Sequence, residues 1–224
     1  MKICFKLKEC FIQPSATKII LAALAAAVTL LAHADTSWVR GGNWADVDAN
    51  ITGIHLWAGL TYSTTLAQAT NVADQVAADY ATVGINFVRV GINPTTVSST
   101  NWPVLKTCIN ELIAKGMTVD IGCWYCWPLD STGVITNMTL WQNMWQTVDN
   151  VYSNNNSVYY EPINEPAGYS LSGLESVYTT YLGFIHKSQS HIILDGTGFS
   201  ADVTGIGGDA AFNNCLLSLH IYPG

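Results

Sequence analysis

The feature that most constrains this chain is an alternation of two sequence periods. Short apolar runs of strand character occur at 51–57 (ITGIHLW), 86–92 (NFVRVGI), 117–124 (MTVDIGCW), 157–164 (SVYYEPIN), 191–196 (HIILDG) and 215–222 (CLLSLHIY). Between them, apolar side chains return every three or four residues. Val72, Val76, Tyr80 and Val83 predict a helix closed by Gly84. Leu105, Ile109, Leu112 and Ile113 predict a second, from near Pro103 to Gly116. Leu140, Met144, Val148 and Val151 mark a third, and Leu174, Val177, Tyr181 and Ile185 a fourth. A glycine-rich stretch with little helical character leads to the last strand. Strands that alternate with amphipathic helices predict a parallel sheet with both faces covered.

Two architectures satisfy that pattern: an open doubly wound sheet and a closed barrel. Six strand–helix units over residues 35–224 use about 32 residues each, and two more would reach the roughly 250 residues typical of an eight-unit barrel. The expectation is therefore an α/β chain, a (β/α)8 TIM barrel with about six of its eight βα units present. GTGFSA at 196–201 matches a dinucleotide-binding fingerprint, G-x-G-x-x-[GA]. That fingerprint should open a long helix early in the chain. Here DVTGIGGDAAF follows, late in the chain, so the stretch reads as a loop and no cofactor is expected.

The first 34 residues read as a separate segment. Lys2, Lys6, Lys8 and Lys18 precede an apolar run from Ile19 to Ala32, and AHAD supplies a small-x-small site with cleavage expected after Ala34. This is the order of a secretory signal peptide, and the run is short against the roughly 20 residues of a membrane span. Residues 35–224 are then the mature domain, secreted or periplasmic. Setting aside the four lysines and Glu9 of residues 1–34 leaves 5 basic and 15 acidic residues, a net charge of −10. That argues against nucleic acid and anionic membrane as partners, since both call for basic patches.

Four cysteines remain after cleavage: Cys108, Cys123, Cys126 and Cys215. An exported protein can oxidise them. CWYC at 123–126 is a single C-x-x-C followed by Pro128 and LDSTG rather than by a helix. It reads as a local disulfide or two free thiols ahead of a redox dithiol. Without a second pair or clustered histidines it is a weak zinc signal, and no metal is expected.

In a parallel barrel, function collects at the carboxyl ends of the strands. Distinctive side chains fall there: Trp57 after the first run, Arg89 and Asn93 in and after the second, and Trp124 and Trp127 after the third. Asn164 and Glu165 follow the fourth run, and His220 and Tyr222 end the sixth. Polar groups edged with tryptophan suit a sugar, whose C–H faces stack on rings while its hydroxyls take hydrogen bonds. Trp141 and Trp145, on the third helix, read as core. Two glutamates stand in SVYYEPINEPAG. Along a continuous strand Glu161 and Glu165 would be about 13 Å apart, too far for either glycosidase geometry. Glu161 is expected inside the barrel against a partner such as Arg89, and Glu165 at the mouth.

YYEPINEPAG resembles the fourth-strand signature of clan A glycoside hydrolases, and of family 5 (cellulase family A) in particular. GINFVRV is similar to that family's second strand, HIILDGTGFSAD to its fifth strand and loop, LLSLHIYPG to its sixth, and GIHL to its opening strand. The resemblance covers residues 38–224. It implies an eight-unit barrel that cleaves β-linked polysaccharides with retention, most simply as an endo-β-1,4-glucanase, with β-mannanase as a close rival. It implies Glu165 as general acid/base, Asn164 as the ligand of the sugar 2-hydroxyl, Arg89 as the arginine that orients the nucleophile, and His220 and Tyr222 as the His-x-Tyr pair. A monomer without cofactors is implied. The family's histidine after strand three has no counterpart in DIGCWYCW. Its nucleophile, a glutamate ending strand seven, has none either, because no Asp or Glu follows Asp209. The chain as given is expected to be inactive alone. A non-catalytic carbohydrate-binding barrel remnant is the rival from another class.

Overall fold

The computed structural model describes residues 36–46, 53–126 and 133–222. Residues 1–34, expected to be a signal peptide, and Trp127 lie outside them.

The helices form where the sequence caps them. Helix α1 (Leu66–Thr82) opens with a reciprocal capping box between Thr65 and Gln68 and buries Ala69, Ala73 and Ala77. Helix α2 (Trp102–Ala114) has Pro103 in its first turn, where a missing N–H costs nothing. It packs Leu105, Cys108, Ile109 and Leu112 inward. Asn137 caps α3 (Met138–Tyr152) and Ser170 caps α4 (Leu171–Leu182). The buried stripe of α3 is Trp141, Met144, Trp145, Val148 and Tyr152. Leu140 and Val151, expected in the core, are exposed, because the two tryptophans bury more area and set the rotation of the helix.

Strands β1 (Gly41–Trp44), β2 (Phe87–Ile92), β3 (Thr118–Cys123) and β4 (Val158–Glu161) pair in parallel and in sequence order. Strands β5 (Ile193–Asp195) and β6 (Leu216–Ser218) pair in parallel, and a bridge from Tyr160 to Ile192 carries the ladder on from β4. Order that follows the chain without reversal is that of a barrel, whereas a doubly wound sheet reverses at its switch point. The fold is a partial (β/α)8 barrel.

One strand differs from expectation. The first strand is Gly41–Trp44, and residues 53–57 form the loop after it. The apolar character of GIHLW reflects burial rather than strand pairing. Trp57 is fully buried, donates its indole N–H to the Gly91 carbonyl at 2.8 Å and packs on Trp44. It is therefore a core residue and not a sugar contact. Asn93 is likewise structural: its side chain accepts from Thr96 N–H and donates to the Gly53 carbonyl.

Alternation along the strands sorts the side chains. Val88 and Val90 of β2, Val119 and Ile121 of β3, and Tyr160 of β4 are fully buried beneath the helices, where Tyr160 meets Trp145. Residues of the opposite parity face the barrel interior. Phe87, Tyr159 and His191 stack as one layer. Above it, towards the carboxyl ends, come Arg89, Asp120, Glu161 and Asp195.

Candidate active site

The upper interior layer is a set of charges held out of water. Arg89 spans it. Its Nε donates to Glu161 Oε2 at 2.5 Å, and its Nη2 donates both to Glu161 Oε1 and to Asn164 Oδ1, the latter at 2.7 Å. Asp120, in register with Arg89 on the adjacent strand, has Oδ2 3.7 Å from Nε. Burial works against the charged guanidinium, but the Glu161 carboxylate outweighs it and Arg89 is held more firmly protonated than usual. Asp120 and Asp195 are both pushed well above the ordinary carboxylate range, first by burial and then by the charge on Glu161. One cation thus faces three buried carboxyl groups, and two of them favour the neutral acid.

Two glycines make this layer possible. A Cβ on Gly122 would stand 2.8 Å from Glu161 Oε2 and 2.9 Å from Trp124 Nε1. One on Gly91 would stand 2.6 Å from the Trp124 ring and 2.7 Å from His55. Both positions must be empty for the charged side chains and Trp124 to enter. Trp124 is buried and lies across the Arg89 guanidinium, 4.8 Å from ring centroid to Cζ. It sits at the start of a turn closed by a Cys123–Cys126 disulfide, while Cys108 and Cys215 are free.

Strand β4 ends at Glu161, and the chain then turns. The Pro162 carbonyl accepts the indole N–H groups of Trp141 and Trp145 at 3.0 and 3.3 Å. The Asn164 N–H donates to the Cys123 carbonyl at 3.0 Å. These bonds pin the exit of the strand. Glu165 follows in the left-handed region, at φ 53°. A non-glycine residue there is strained by about 1–3 kcal/mol, and the proline that follows restricts it further. The continuous-strand spacing of Glu161 and Glu165 is therefore corrected. The turn brings the two glutamates together around His220, whose Nδ1 lies 2.8 Å from Glu165 Oε1. Donor atoms of Glu161, Asp195 and His220 lie within 4.8 Å of one another. They have the chemistry of a cation site, but the Arg89 guanidinium already occupies both oxygens of Glu161.

Glu165 is the one carboxylate of this group with an open side: its side chain is 20% exposed, against 0% for Glu161 and Asp195. The Tyr222 hydroxyl donates to Glu165 Oε1, and this bond is the main reason that the phenol is pushed up to about 12. Asp195 Oδ2 accepts the Glu165 backbone N–H at 2.7 Å. The loop after β5 clasps the end of β6. Gly196 N–H donates to Ser200 Oγ, Ser200 Oγ donates to the Ser218 carbonyl, and His220 N–H donates to the Ser200 carbonyl. GTGFSA is thus the brace that places His220.

Of the residues expected at the site, Arg89, Asn164, Glu165, His220, Tyr222 and Trp124 converge, and Trp57 does not. Sequence reasoning passed over Asp120, Asp195 and His55. Asp195 ends β5 and was open to the same strand-end rule that selected the others. His55 carried no such signal, because its place in a loop against Trp124 depends on tertiary packing.

The site is thus a carboxylate cluster at the carboxyl ends of parallel strands, with one member of it open. A family model for cellulase (glycosyl hydrolase family 5) matches residues 42–224, and the chain belongs to that family. Comparison with curated proteins found no match. Among solved structures, endoglucanase Cel5A from the hyperthermophilic Thermotoga maritima is 14% identical with a TM-score of 0.59, covering 83% of this chain and 60% of that one. A second structure of that enzyme, with cellobiose, is 15% identical with a TM-score of 0.56, covering 83% and 61%. The catalytic domain of Thermobifida fusca endoglucanase Cel5A, with cellotetraose, is 18% identical with a TM-score of 0.51, covering 72% and 53%. These likenesses are of fold. The chain spans little more than half the length of the structures it matches.

Proposed function

We propose that this protein is an exported retaining β-glycanase, acting on β-1,4-glucan, with Glu165 as its general acid/base. The observation that carries the proposal is the setting of Glu165: a strained, partly open carboxyl group gripped by His220 and Tyr222 beside a buried charge cluster. Glu165 gives its proton to the glycosidic oxygen, which leaves with its sugar as the bond to the anomeric carbon breaks and that carbon bonds to a second carboxylate. It then takes a proton from the water that releases the sugar. Asn164, whose Oδ1 accepts a hydrogen bond from Arg89, is the residue assigned to the 2-hydroxyl of the sugar. The buried carboxyl groups Asp120, Glu161 and Asp195 are poorly placed to attack a sugar, so none of them is assigned as the nucleophile.

β-Glucan is favoured over β-mannan by the cellobiose and cellotetraose bound to the two structural neighbours. The test is digestion of carboxymethyl-cellulose, lichenan, mannan and xylan by the full-length protein, with the anomeric form of the first product followed by proton NMR. Cellulose and lichenan should be cut with a β-anomer product. An α-anomer product would contradict retention, and binding without turnover would favour the non-catalytic rival.

A further inference from the structure

We propose that Asp195 is a positioning residue for Glu165: its Oδ2 holds the Glu165 backbone in the left-handed turn and so aims the carboxyl group at His220 and Tyr222. The catalytic consequence rests on the glycanase reading above, while the hold itself does not.

Three observations carry this. Glu165 combines a positive φ with a following proline, two features that its own side chain does nothing to favour. The bond from its N–H to Asp195 Oδ2, at 2.7 Å, ties this backbone to a different strand, thirty residues away. Asp195 is itself rigidly set: it is fully buried, and its own carbonyl accepts the Tyr178 hydroxyl at 2.8 Å, which fastens the end of β5 to α4. The same Oδ2 lies 3.8 Å from His220 Nε2, so one carboxyl group sits behind both the backbone of Glu165 and the imidazole that meets its side chain. Its other oxygen, Oδ1, has no hydrogen-bond partner among the described residues. Burial and the Glu161 charge favour the protonated acid at Asp195, and the Glu165 N–H needs only a lone pair on Oδ2. The role asks for an acceptor oxygen rather than a charge.

That distinction sets the test. Asp195→Asn keeps an acceptor oxygen and Asp195→Leu removes it with the same number of side-chain heavy atoms. In the full-length protein, kcat/KM is measured on a cello-oligosaccharide, whose leaving group needs a proton, and on a dinitrophenyl cellobioside, whose leaving group does not. Asn should stay within about threefold of the parent on both substrates. Leu should lose about 100-fold on the first and less than about tenfold on the second. Equal losses on both substrates, or a loss with Asn as large as with Leu, would overturn the proposal. The parent chain gives an independent reading by NMR: the Glu165 amide proton should resonate at low field and exchange slowly with deuterium. Fast exchange there would overturn the proposal whether or not the Leu variant folds. An inactive parent with a protected Glu165 amide would count against the glycanase reading and leave the hold of Asp195 standing.

Discussion

Arg89 and Glu161 form a two-pronged ion pair between β2 and β4, with Glu161 wholly shielded from water. The same guanidinium reaches Asn164, so the pair also sets the residue that precedes Glu165.

Removing one partner should therefore cost far more than a surface pair would. Arg89→Ala leaves Glu161 buried without its counter-charge, and a urea titration should show a loss of about 3–5 kcal/mol. Arg89→Lys should recover only part of this, since a point charge cannot meet two carboxylate oxygens and an amide at once. A loss under about 1 kcal/mol for the alanine variant, the size of an exposed pair, would show that the pair does not hold the layer together.

His55 should make stability fall in mild acid. Burial lowers its pKa from 6.5 to about 4, against a smaller opposing effect of Asp46, and neither ring nitrogen has a hydrogen-bond partner among the described residues. The folded state therefore disfavours the imidazolium. Above pH 6.5 the ring is neutral whether the chain is folded or not, and the full stability is present. As the pH falls from 6.5 to about 4 the unfolded chain takes up a proton that the folded chain refuses, and stability is lost. The size is on the order of 3 kcal/mol. Comparing denaturation midpoints of the parent and His55→Phe between about pH 7 and pH 4 checks this. The slope should be shallower in the variant, and identical slopes would remove His55 as the source.

The Cys123–Cys126 disulfide closes the turn that carries Trp124 over Arg89. Cys123→Ser should lower stability by about 2 kcal/mol, the value for so short a loop, and leave bond cleavage in place. Thermal melts and turnover on the same preparation decide the matter. Abolished turnover in a folded Cys123→Ser protein would favour the redox reading instead.

Much of the fold was legible because the alternation of periods is a direct consequence of burying both faces of a parallel sheet. The second to sixth strands and the four long helices lie where the periodicity puts them. The first strand was misplaced because GIHLW is apolar for a different reason: His55 and Trp57 are buried in a loop, and a short apolar run does not distinguish the two. At the site, Glu165, Asn164 and Arg89 were visible from strand-end position. The nearness of Glu161 to His220 was not, because strand arithmetic assumes a chain that stays extended, and β4 ends at Glu161. The work of Gly91 and Gly122 was also hidden, since a glycine needed for its missing side chain looks in sequence like any other.

Whether Glu165 supplies the proton is decided by Glu165→Gln in the full-length protein. Glutamine keeps the shape and can keep contacts with His220 and Tyr222, but it has no proton to give. On cellulose or a cello-oligosaccharide, kcat/KM should fall by about 10²–10⁴, while cleavage of the glycosidic bond in a dinitrophenyl cellobioside should fall much less. Equal activity of variant and parent on cellulose would contradict the assignment.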